Sequence, residues 1–303
     1  MKREEKMMAV QKAQEYVEHH LMEPITLRQL ASAAGYSPWH LSRMFGEIAG
    51  RTPYEYIRSR RLTEAALVLR DENRRVLDVA LDFVFDSQEG FTRAFSREFG
   101  ISPGRYHNHS PAISLFMPEK VYDNYRLLRK LDSKKERARD MAKTIFVQVI
   151  ERPERKCLLK RGIKATEYFE FCEEVGCEIW PVLSSVKEAL YEPVGMWLPK
   201  GLRPEGTSEY VQGVELPLDY DKPVPDGYEL VTFPAEMMMV FQGEPYDDDN
   251  FMDEIVAVCQ HIEQFKPQVY GYEWAGDTGI RFQLMPLGER GYIEARPVRK
   301  VQG

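Results

Sequence analysis

A pattern typical of a short helix, a tight turn and a second helix occurs twice in the first hundred residues, about fifty positions apart. In each copy an alanine stands where two helices must approach closely, a break follows four residues later, and an apolar i, i+4 pair marks the next helix. These positions are Ala31, Gly35, Leu41 and Phe45 in the first copy, and Ala80, Val84, Phe91 and Phe95 in the second. The spacing predicts an all-α domain built from two helix-turn-helix units.

The second helix of the first unit carries candidate DNA contacts. In a helix-turn-helix this helix enters the major groove, and residues near its N-terminus reach base edges. Here it begins after Ser37, a good N-cap, and its apolar pair turns Trp39, Ser42 and Arg43 outward. Arginine binds a guanine edge with two hydrogen bonds, and tryptophan offers apolar contact to a thymine methyl. We predict that these three residues contact DNA; the alternative is an ordinary solvated helix face.

The second unit presents a comparable surface. Its helix begins after Ser87, and the residues that face outward are Gln88, Glu89, Thr92 and Arg93. Glutamine suits adenine, threonine suits several bases, and glutamate accepts a hydrogen bond from cytosine. The sequence therefore predicts that these four residues also read bases, with solvation again as the alternative.

Residues from about 9 to 107 resemble the DNA-binding domain of AraC/XylS transcriptional regulators. The resemblance rests on the runs GYSPWHLSRMF at 35–45, FDSQEGFTRAF at 85–95 and GISPGRY at 100–106. It implies two helix-turn-helix units, joined by one long helix from Pro53 to about Arg70, that read adjacent major-groove segments on one side of the duplex. Three arginines of that helix are expected to meet phosphates or to be solvated: Arg58, Arg60 and Arg61.

Two residues depart from the pattern of this family. Val84 stands in the second turn, where the family usually has glycine, and a β-branched residue is poorly suited to positive φ. Glu89 places a carboxylate in the second reading helix, near phosphates that it would normally avoid. We therefore expect the second turn to be strained or built differently, and the prediction of base contact is firmer for the first unit.

Charge is distributed unevenly along the 303 residues, of which 43% are hydrophobic, enough to form two ordinary domains. The net charge is +1 for residues 1–106, +4 for 107–143 and −12 for 144–303. An acidic half is a poor DNA surface, because phosphate binding depends on Lys and Arg. We predict a DNA-binding domain at 1–107, a linker and connecting helix at 108–143, and a second domain with another role at 144–303.

The sequence contains no run of eighteen apolar residues and no apolar region after its charged start. We therefore expect a cytoplasmic protein without a membrane partner. The four cysteines are Cys157, Cys172, Cys177 and Cys259, and they lack metal-ligand spacing. A reducing compartment disfavours disulfides, so free thiols are expected, with neither metal nor cofactor. A redox-sensing role for Cys172 and Cys177 is the alternative.

The C-terminal half alternates strand-like and helical patterns, which predicts an α+β fold. Strand-like runs lie at 146–150, 156–160, 194–198, 210–216, 228–233, 237–242, 281–285 and 291–297. Helical patterns lie at 166–175, 181–190 and 249–265. Two helices fall in the first part of the domain and one in the second, so the strand, helix and strand order is roughly repeated.

This half resembles the GyrI-like effector-binding domain that some AraC-type regulators carry. The resemblance rests on YVQGVE at 210–215, VPDGYE at 224–229, FPA at 233–235 with MVF at 239–241, and YGYEW at 270–274. It implies two pseudo-symmetric halves with a ligand cleft between them. Such clefts combine aromatic walls with a buried carboxylate, and they accept hydrophobic, often cationic, compounds.

Candidate effector-binding residues follow from that implication. Aromatic faces attract cations, and the aromatic candidates are Trp197, Tyr210, Tyr272, Trp274 and Phe282. The family glutamate lies four residues before a proline, but here counting back from Pro297 gives Ile293. Glu294 is one strand position out of phase, so its side chain is expected to face the other way. Glu273 is the rival acid, and both remain candidates.

The function predicted from these features is a sequence-specific, DNA-binding transcription regulator that is not an enzyme. Its C-terminal domain would bind a small hydrophobic effector, with lipophilic cations as the favoured class, and RNA polymerase is a further candidate partner. One alternative is a C-terminal domain that hydrolyses its ligand with a glutamate base. Another is a C-terminal module that contacts proteins and binds no ligand.

Overall fold

The computed structural model describes residues 3–118, 144–176, 179–247 and 250–301. The chain divides into two compact units, residues 1–129 and 130–303. The connecting helix predicted between residues 121 and 143 lies outside the described residues, so the predicted linker boundaries remain predictions. Each unit is described by itself below.

The N-terminal unit is all-α in its described part. Its helices are α1 (Arg3–His19), α2 (Leu27–Ala34), α3 (Pro38–Ala49), α4 (Pro53–Asp71), α5 (Val76–Asp82), α6 (Gln88–Phe99) and α7 (Pro103–His109). Helices α2 and α3 form the first helix-turn-helix unit, α5 and α6 form the second, and α4 joins them. This confirms the predicted helical domain.

Local capping explains where several of these helices begin. Thr26 and Thr52 form capping boxes with Gln29 and Glu55, so the first backbone donors of α2 and α4 have partners. The Ser37 hydroxyl accepts a hydrogen bond from the backbone N–H of His40, at the start of α3. Side-chain caps of this kind stabilise a helix start by about 1 kcal/mol.

The two repeats build two equivalent apolar cores. In the first core Ala31 packs with Leu41 and Phe45, and in the second core Ala80 packs with Phe91 and Phe95. Helix α4 contributes to both, with Tyr56 and Ile57 in the first core and Leu62, Ala65, Ala66 and Leu69 in the second. All six of these α4 residues are buried.

Both helix-turn-helix turns use a left-handed residue. Gly35 has φ of 77°, and Val84 occupies the corresponding position with φ of 61°. The second turn therefore has the same kind of backbone as the first and is strained, because a β-branched side chain is disfavoured at positive φ.

The arginines of α4 mostly serve the helical unit itself. Arg60 is buried; its guanidinium donates to Glu18 of α1, to Glu64 at 2.8 Å, and to the Phe116 carbonyl. Arg61 donates to the carbonyls of Leu21 and Glu23. The expectation of phosphate contact or solvation is therefore wrong for Arg60, and Arg58 is the member of the three that is exposed.

Residues 110–118 continue the helical unit without regular structure. Ile113 and Leu115 are buried in the second core, and Phe116 packs against the first. The backbone N–H of Phe116 donates to the Thr63 hydroxyl at 2.8 Å. This part of the predicted linker is therefore packed onto α4.

The C-terminal unit is α+β in its described part, with an antiparallel nine-stranded sheet. The strands are β1 (Phe146–Arg152), β2 (Arg155–Arg161), β3 (Val194–Trp197), β4 (Tyr210–Leu216), β5 (Glu229–Phe233), β6 (Glu236–Gln242), β7 (Tyr272–Trp274), β8 (Arg281–Leu284) and β9 (Ile293–Lys300). The helices are α8 (Tyr168–Val175), α9 (Ile179–Ser184) and α10 (Phe251–Gln264). All eight predicted strands are present, and β7 is an addition.

The strand order contains the predicted repeat. Along the sheet it is β1-β6-β9-β8-β3-β4-β2-β5, with β7 paired to β9. Strands β2, β3 and β4 of the first half therefore correspond to β6, β8 and β9 of the second, in mirrored order about the β3–β8 pair. A helical segment follows the first strand of each half. This arrangement matches two pseudo-symmetric halves that meet where β3 pairs with β8.

The helices cover one face of the sheet, which we call the helix-covered face. On it, Phe171 of α8 contacts Tyr210 of β4, and Val258 of α10 packs against Phe241 of β6. Side chains on the opposite face form a separate apolar core that includes Met196, Val211, Met238 and Ala295. Because α8 and α10 pack on different halves, the residues of β3, β8 and their neighbours occupy the middle of the helix-covered face.

Candidate functional site

The predicted DNA-reading residues of the first unit lie on the outer surface of α3. Trp39 is 64% exposed, the Arg43 side chain is also exposed, and Ser42 is half-buried. The Arg43 Cζ lies 5.8 Å from the centroid of the Trp39 ring. Leu41 and Phe45 are fully buried, so the helix faces the way its apolar pair predicts.

Glu47 is a hydrogen-bond partner of Arg43. The Arg43 Nε donates to Glu47 Oε1 at 2.9 Å, one helical turn away, and Lys6 Nζ of α1 donates to the other oxygen at 2.8 Å. The hydrogen bond from Lys6 has the larger effect and the one from Arg43 the smaller, and together they hold the pKa of Glu47 below its ordinary value. Glu47 was not among the predicted site residues, although its i, i+4 spacing from Arg43 is a readable signal.

The second unit presents its candidates in the same way. Gln88, Glu89 and Arg93 are exposed on α6 and Thr92 is half-buried. Glu89 lies in the first turn of α6, where a carboxylate interacts favourably with the positive end of the helix dipole. This gives Glu89 a helix-stabilising role that is independent of any base contact.

In the C-terminal unit, strand register brings two predicted aromatic residues together. Trp197 of β3 is paired with Tyr210 of β4 on one side and with Arg281 of β8 on the other. The two rings meet edge to face, with centroids 4.9 Å apart. The Trp197 indole N–H donates to the Thr166 carbonyl at 2.8 Å, which fixes the ring. Arg281 stacks on that ring, with Cζ 3.8 Å from its centroid.

Gly195 allows Tyr210 to lie across β3. A Cβ at this position would stand 2.1 Å from the Tyr210 hydroxyl oxygen, so a side chain there would displace the ring. Tyr210 is consequently buried, and this burial raises the pKa of its hydroxyl. Close backbone approach is a recognised use of glycine in a strand.

Glu294 of β9 is fully buried on the helix-covered face and has four polar partners. Arg281 Nη2 donates to its Oε2 at 2.9 Å, and Arg296 Nε donates to its Oε1. The Tyr292 hydroxyl donates to Oε2 at 3.2 Å, and the Cys259 thiol of α10 lies 3.8 Å from the same oxygen. Burial, reinforced by the charge of Glu294, raises the pKa of Cys259 to about 11.

Glu294 lies on the face opposite to Ile293 and Pro297, as its distance from Pro297 predicts. In the register of the sheet Glu294 is paired with Phe241 of β6, which faces α10, and with Gln283 of β8. Cross-strand partners share a face, so the pairing with β6 and β8 places Glu294 on the helix-covered face, which counting along one strand cannot identify.

Gln212 of β4 was not predicted and is a neighbour of this group. It is 1% exposed and is paired in the sheet with Gly195. Its side chain lies close enough to the Tyr210 hydroxyl to lower the pKa of that hydroxyl by hydrogen bonding, but neither its amide nitrogen nor its amide oxygen makes a hydrogen bond of good geometry within the described ranges. Buried amides without hydrogen bonds are rare, because desolvation without compensation costs about 1–3 kcal/mol.

We call Trp197, Tyr210, Gln212, Arg281 and Glu294 the central patch.

The other predicted effector residues lie elsewhere. Phe282, one position after Arg281, is buried on the opposite face beside Met196 and Ala295. The remaining three lie on β7. Tyr272 and Trp274 pack against the apolar cluster that contains Val258 of α10, and the 41% exposed Glu273 side chain binds Arg299.

In the described part of the chain, no group of three or more His, Cys, Asp or Glu side chains is placed to hold a metal ion. Cys157, Cys172 and Cys259 are free thiols, and Cys177 lies outside the described residues. Within the same ranges, no helix is long and apolar enough to cross a membrane.

Comparison with known proteins identifies the helical unit. A family described as a helix-turn-helix domain matches residues 30–109. The right origin-binding protein of Escherichia coli K12 is 46% identical over 101 residues, which are 33% of this chain and 35% of that protein. The regulatory protein SoxS of Salmonella typhimurium is 40% identical over 94 residues, which are 31% of this chain and 88% of SoxS.

Among solved structures, a transcriptional regulator with an AraC-type DNA-binding domain from Chromobacterium violaceum is 24% identical. The match covers 33% of this chain and 89% of that chain, with a TM-score of 0.32. The chain spans about a third of the length of the right origin-binding protein. The sequence matches fall in the N-terminal third of the present chain. On the match to SoxS and the two helix-turn-helix units, the chain belongs to the AraC/XylS family of transcriptional regulators.

Proposed function

We propose that this protein binds a specific double-stranded DNA sequence through α3 and α6 and that a small molecule bound by its C-terminal unit modulates this binding. The observation that carries the DNA part is the equivalent exposure of the two helices. In each, the apolar i, i+4 pair is fully buried, and an arginine, Arg43 or Arg93, is exposed on the outer surface. Presentation of this kind suits entry into the major groove.

The central patch supports the effector part. It combines an aromatic pair, a fully buried carboxylate and a buried amide without a hydrogen bond of good geometry at the middle of the helix-covered face. Two arginines engage Glu294, which opposes its use as a general base, so the geometry favours binding over hydrolysis. The effector is proposed to be a small compound with a hydrophobic body.

Two measurements on the full-length protein test this function. Selection of binding sites from random duplex DNA should yield one motif, and its affinity should exceed that of shuffled DNA by a factor of about 10³ or more at physiological salt. Calorimetric titration of that complex with small hydrophobic compounds should then give saturable binding and a changed DNA affinity. Selection that returns no motif would refute specific DNA reading.

A further inference from the structure

The central patch already contains a cation of its own. Aromatic faces and buried carboxylates are the two groups that hold a lipophilic cation in a protein. Arg281 occupies both of them at once, because its guanidinium lies 3.8 Å from the Trp197 ring centroid and 2.9 Å from a Glu294 oxygen. A second guanidinium, from Arg296, binds the other oxygen of the same carboxylate.

We infer that Arg281 is an internal substitute for a cationic ligand and that the effector of this protein is an aromatic or apolar anion, such as a carboxylate, bound to the open side of Arg281. This inference rests on the proposed function, since it names the chemical class that the central patch would accept. It also revises the preference for lipophilic cations expected from the sequence.

The hydrogen-bonding capacity of Arg281 supports this assignment. A guanidinium carries five N–H donors. Nη2 binds Glu294, Nε lies 2.8 Å from its other oxygen, and Nη1 makes no hydrogen bond to any residue that the structure describes. The Arg281 side chain is 27% exposed, so part of it is accessible to a ligand.

Gln212 supplies the second, independent observation. Its amide is nearly fully buried on the same face as Trp197 and Arg281, and it lacks a hydrogen bond of good geometry within the described part of the chain. The carboxylate of a ligand would accept a hydrogen bond from the amide nitrogen. An anion also avoids the charge repulsion that a cation would meet beside Arg281 and Arg296, whose charges outnumber that of Glu294.

A further acidic group that acts on Tyr210 does not alter this balance. Glu167 raises the pKa of Tyr210 through its charge, but its carboxylate accepts a hydrogen bond from the backbone N–H of Glu170 as the N-cap of α8. Its charge is therefore partly compensated by the positive end of that helix.

Three compounds of one shape test the ligand class: 2-naphthoate, neutral 2-naphthamide and trimethyl(2-naphthyl)ammonium, each titrated calorimetrically into the full-length protein. We expect 2-naphthoate to bind more tightly than the ammonium compound by about tenfold or more, because a charge-assisted hydrogen bond contributes that much. Equal or tighter binding of the ammonium compound would overturn the inference about the ligand class, while still supporting the proposed effector site.

The variant Arg281→Met should reverse this order, because methionine retains apolar contact with Trp197 and leaves Glu294 without one of its two cations. The matched control is Arg299→Met, which removes an exposed arginine paired with Glu273 on the same sheet and should leave the order unchanged. An unchanged order in Arg281→Met would also overturn the inference. If no compound binds the wild type or either variant, the proposed effector site fails as well.

Gln212→Leu distinguishes a ligand-binding role of Gln212 from a structural one. It also tests the inference if Arg281→Met fails to fold. Since the amide makes no hydrogen bond of good geometry within the described residues, its replacement should keep or raise the thermal midpoint of unfolding while weakening 2-naphthoate binding about tenfold. A lowered midpoint with unchanged binding would show that Gln212 serves folding and not a ligand.

Discussion

The guanidinium of Arg281 stacks on the indole of Trp197 at 3.8 Å and at the same time donates to the fully buried carboxylate of Glu294. The two stacked residues come from β3 and β8, the pair at which the two halves of the sheet meet. An aromatic residue of one half and a cation of the other are thereby held together, so a change at either position affects both halves.

Glu294→Gln should destabilise the C-terminal unit, because two arginines that are about three-quarters buried would lose their counter-charge. We expect the free energy of unfolding to fall by about 1–3 kcal/mol. The control Glu273→Gln, which removes an exposed pair with Arg299, should cost less than about 0.5 kcal/mol. Thermal unfolding followed by tryptophan fluorescence reports mainly on this unit, since three of the four tryptophans lie in it. Equal shifts for the two variants would contradict the assignment.

Val84→Gly should stabilise the N-terminal unit, because Val84 holds φ of 61° in the second turn. Relief of that strain outweighs the backbone entropy of glycine, so we expect a gain of about 0.5–1 kcal/mol. The reciprocal control Gly35→Val should be destabilising. Helical circular dichroism during urea unfolding measures both, and a loss of stability in Val84→Gly would mean that side-chain packing dominates the turn.

Arg43→Ala should weaken binding to the selected DNA by about 1–3 kcal/mol and relax preference at a single base position. The reason is the exposed position of Arg43 on α3. Competition assays with every single-base variant of the motif would measure this. A loss of equal size for all sequences would instead identify a phosphate contact.

Trp39→Ala should reduce DNA affinity with little change in its salt dependence, because an apolar contact to a thymine methyl releases no counterions. Trp39 is 64% exposed and has the area to make such a contact. Affinity measured across a salt series tests this, with Arg43→Ala as the charged comparison. An unaltered affinity and footprint would remove Trp39 from the reading surface.

Glu47→Gln should flatten the acid dependence of stability in the N-terminal unit. Hydrogen bonds from Lys6 and Arg43 lower the pKa of Glu47 from 4.5, so the folded state binds this proton less readily than the unfolded chain. The resulting stabilisation is present above the unfolded pKa and is lost as the pH falls through the lower folded value. Urea midpoints compared between about pH 6 and pH 3 should converge for variant and wild type at the acidic end. Parallel curves would show that this pairing contributes nothing measurable.

Much of the local structure was predictable because its causes are local. Ser37 and Ser87 stand three residues before the backbone N–H groups that they cap, and the buried pairs Leu41–Phe45 and Phe91–Phe95 lie one helical turn apart. A strand-like run likewise predicted strand β4 at its observed bounds, Tyr210–Leu216. The helical pattern at 181–190 was overestimated, since α9 ends at Ser184.

The central patch was only partly predictable, because it depends on which strands pair and in what register. Sequence reasoning selected Trp197, Tyr210 and Glu294, but it also selected Phe282, which lies on the opposite face of the sheet. The sequence alone determined which residues alternate along each strand. Only the tertiary structure decided which of the two faces each set occupies, because that choice follows from hydrogen bonding between strands distant in the chain.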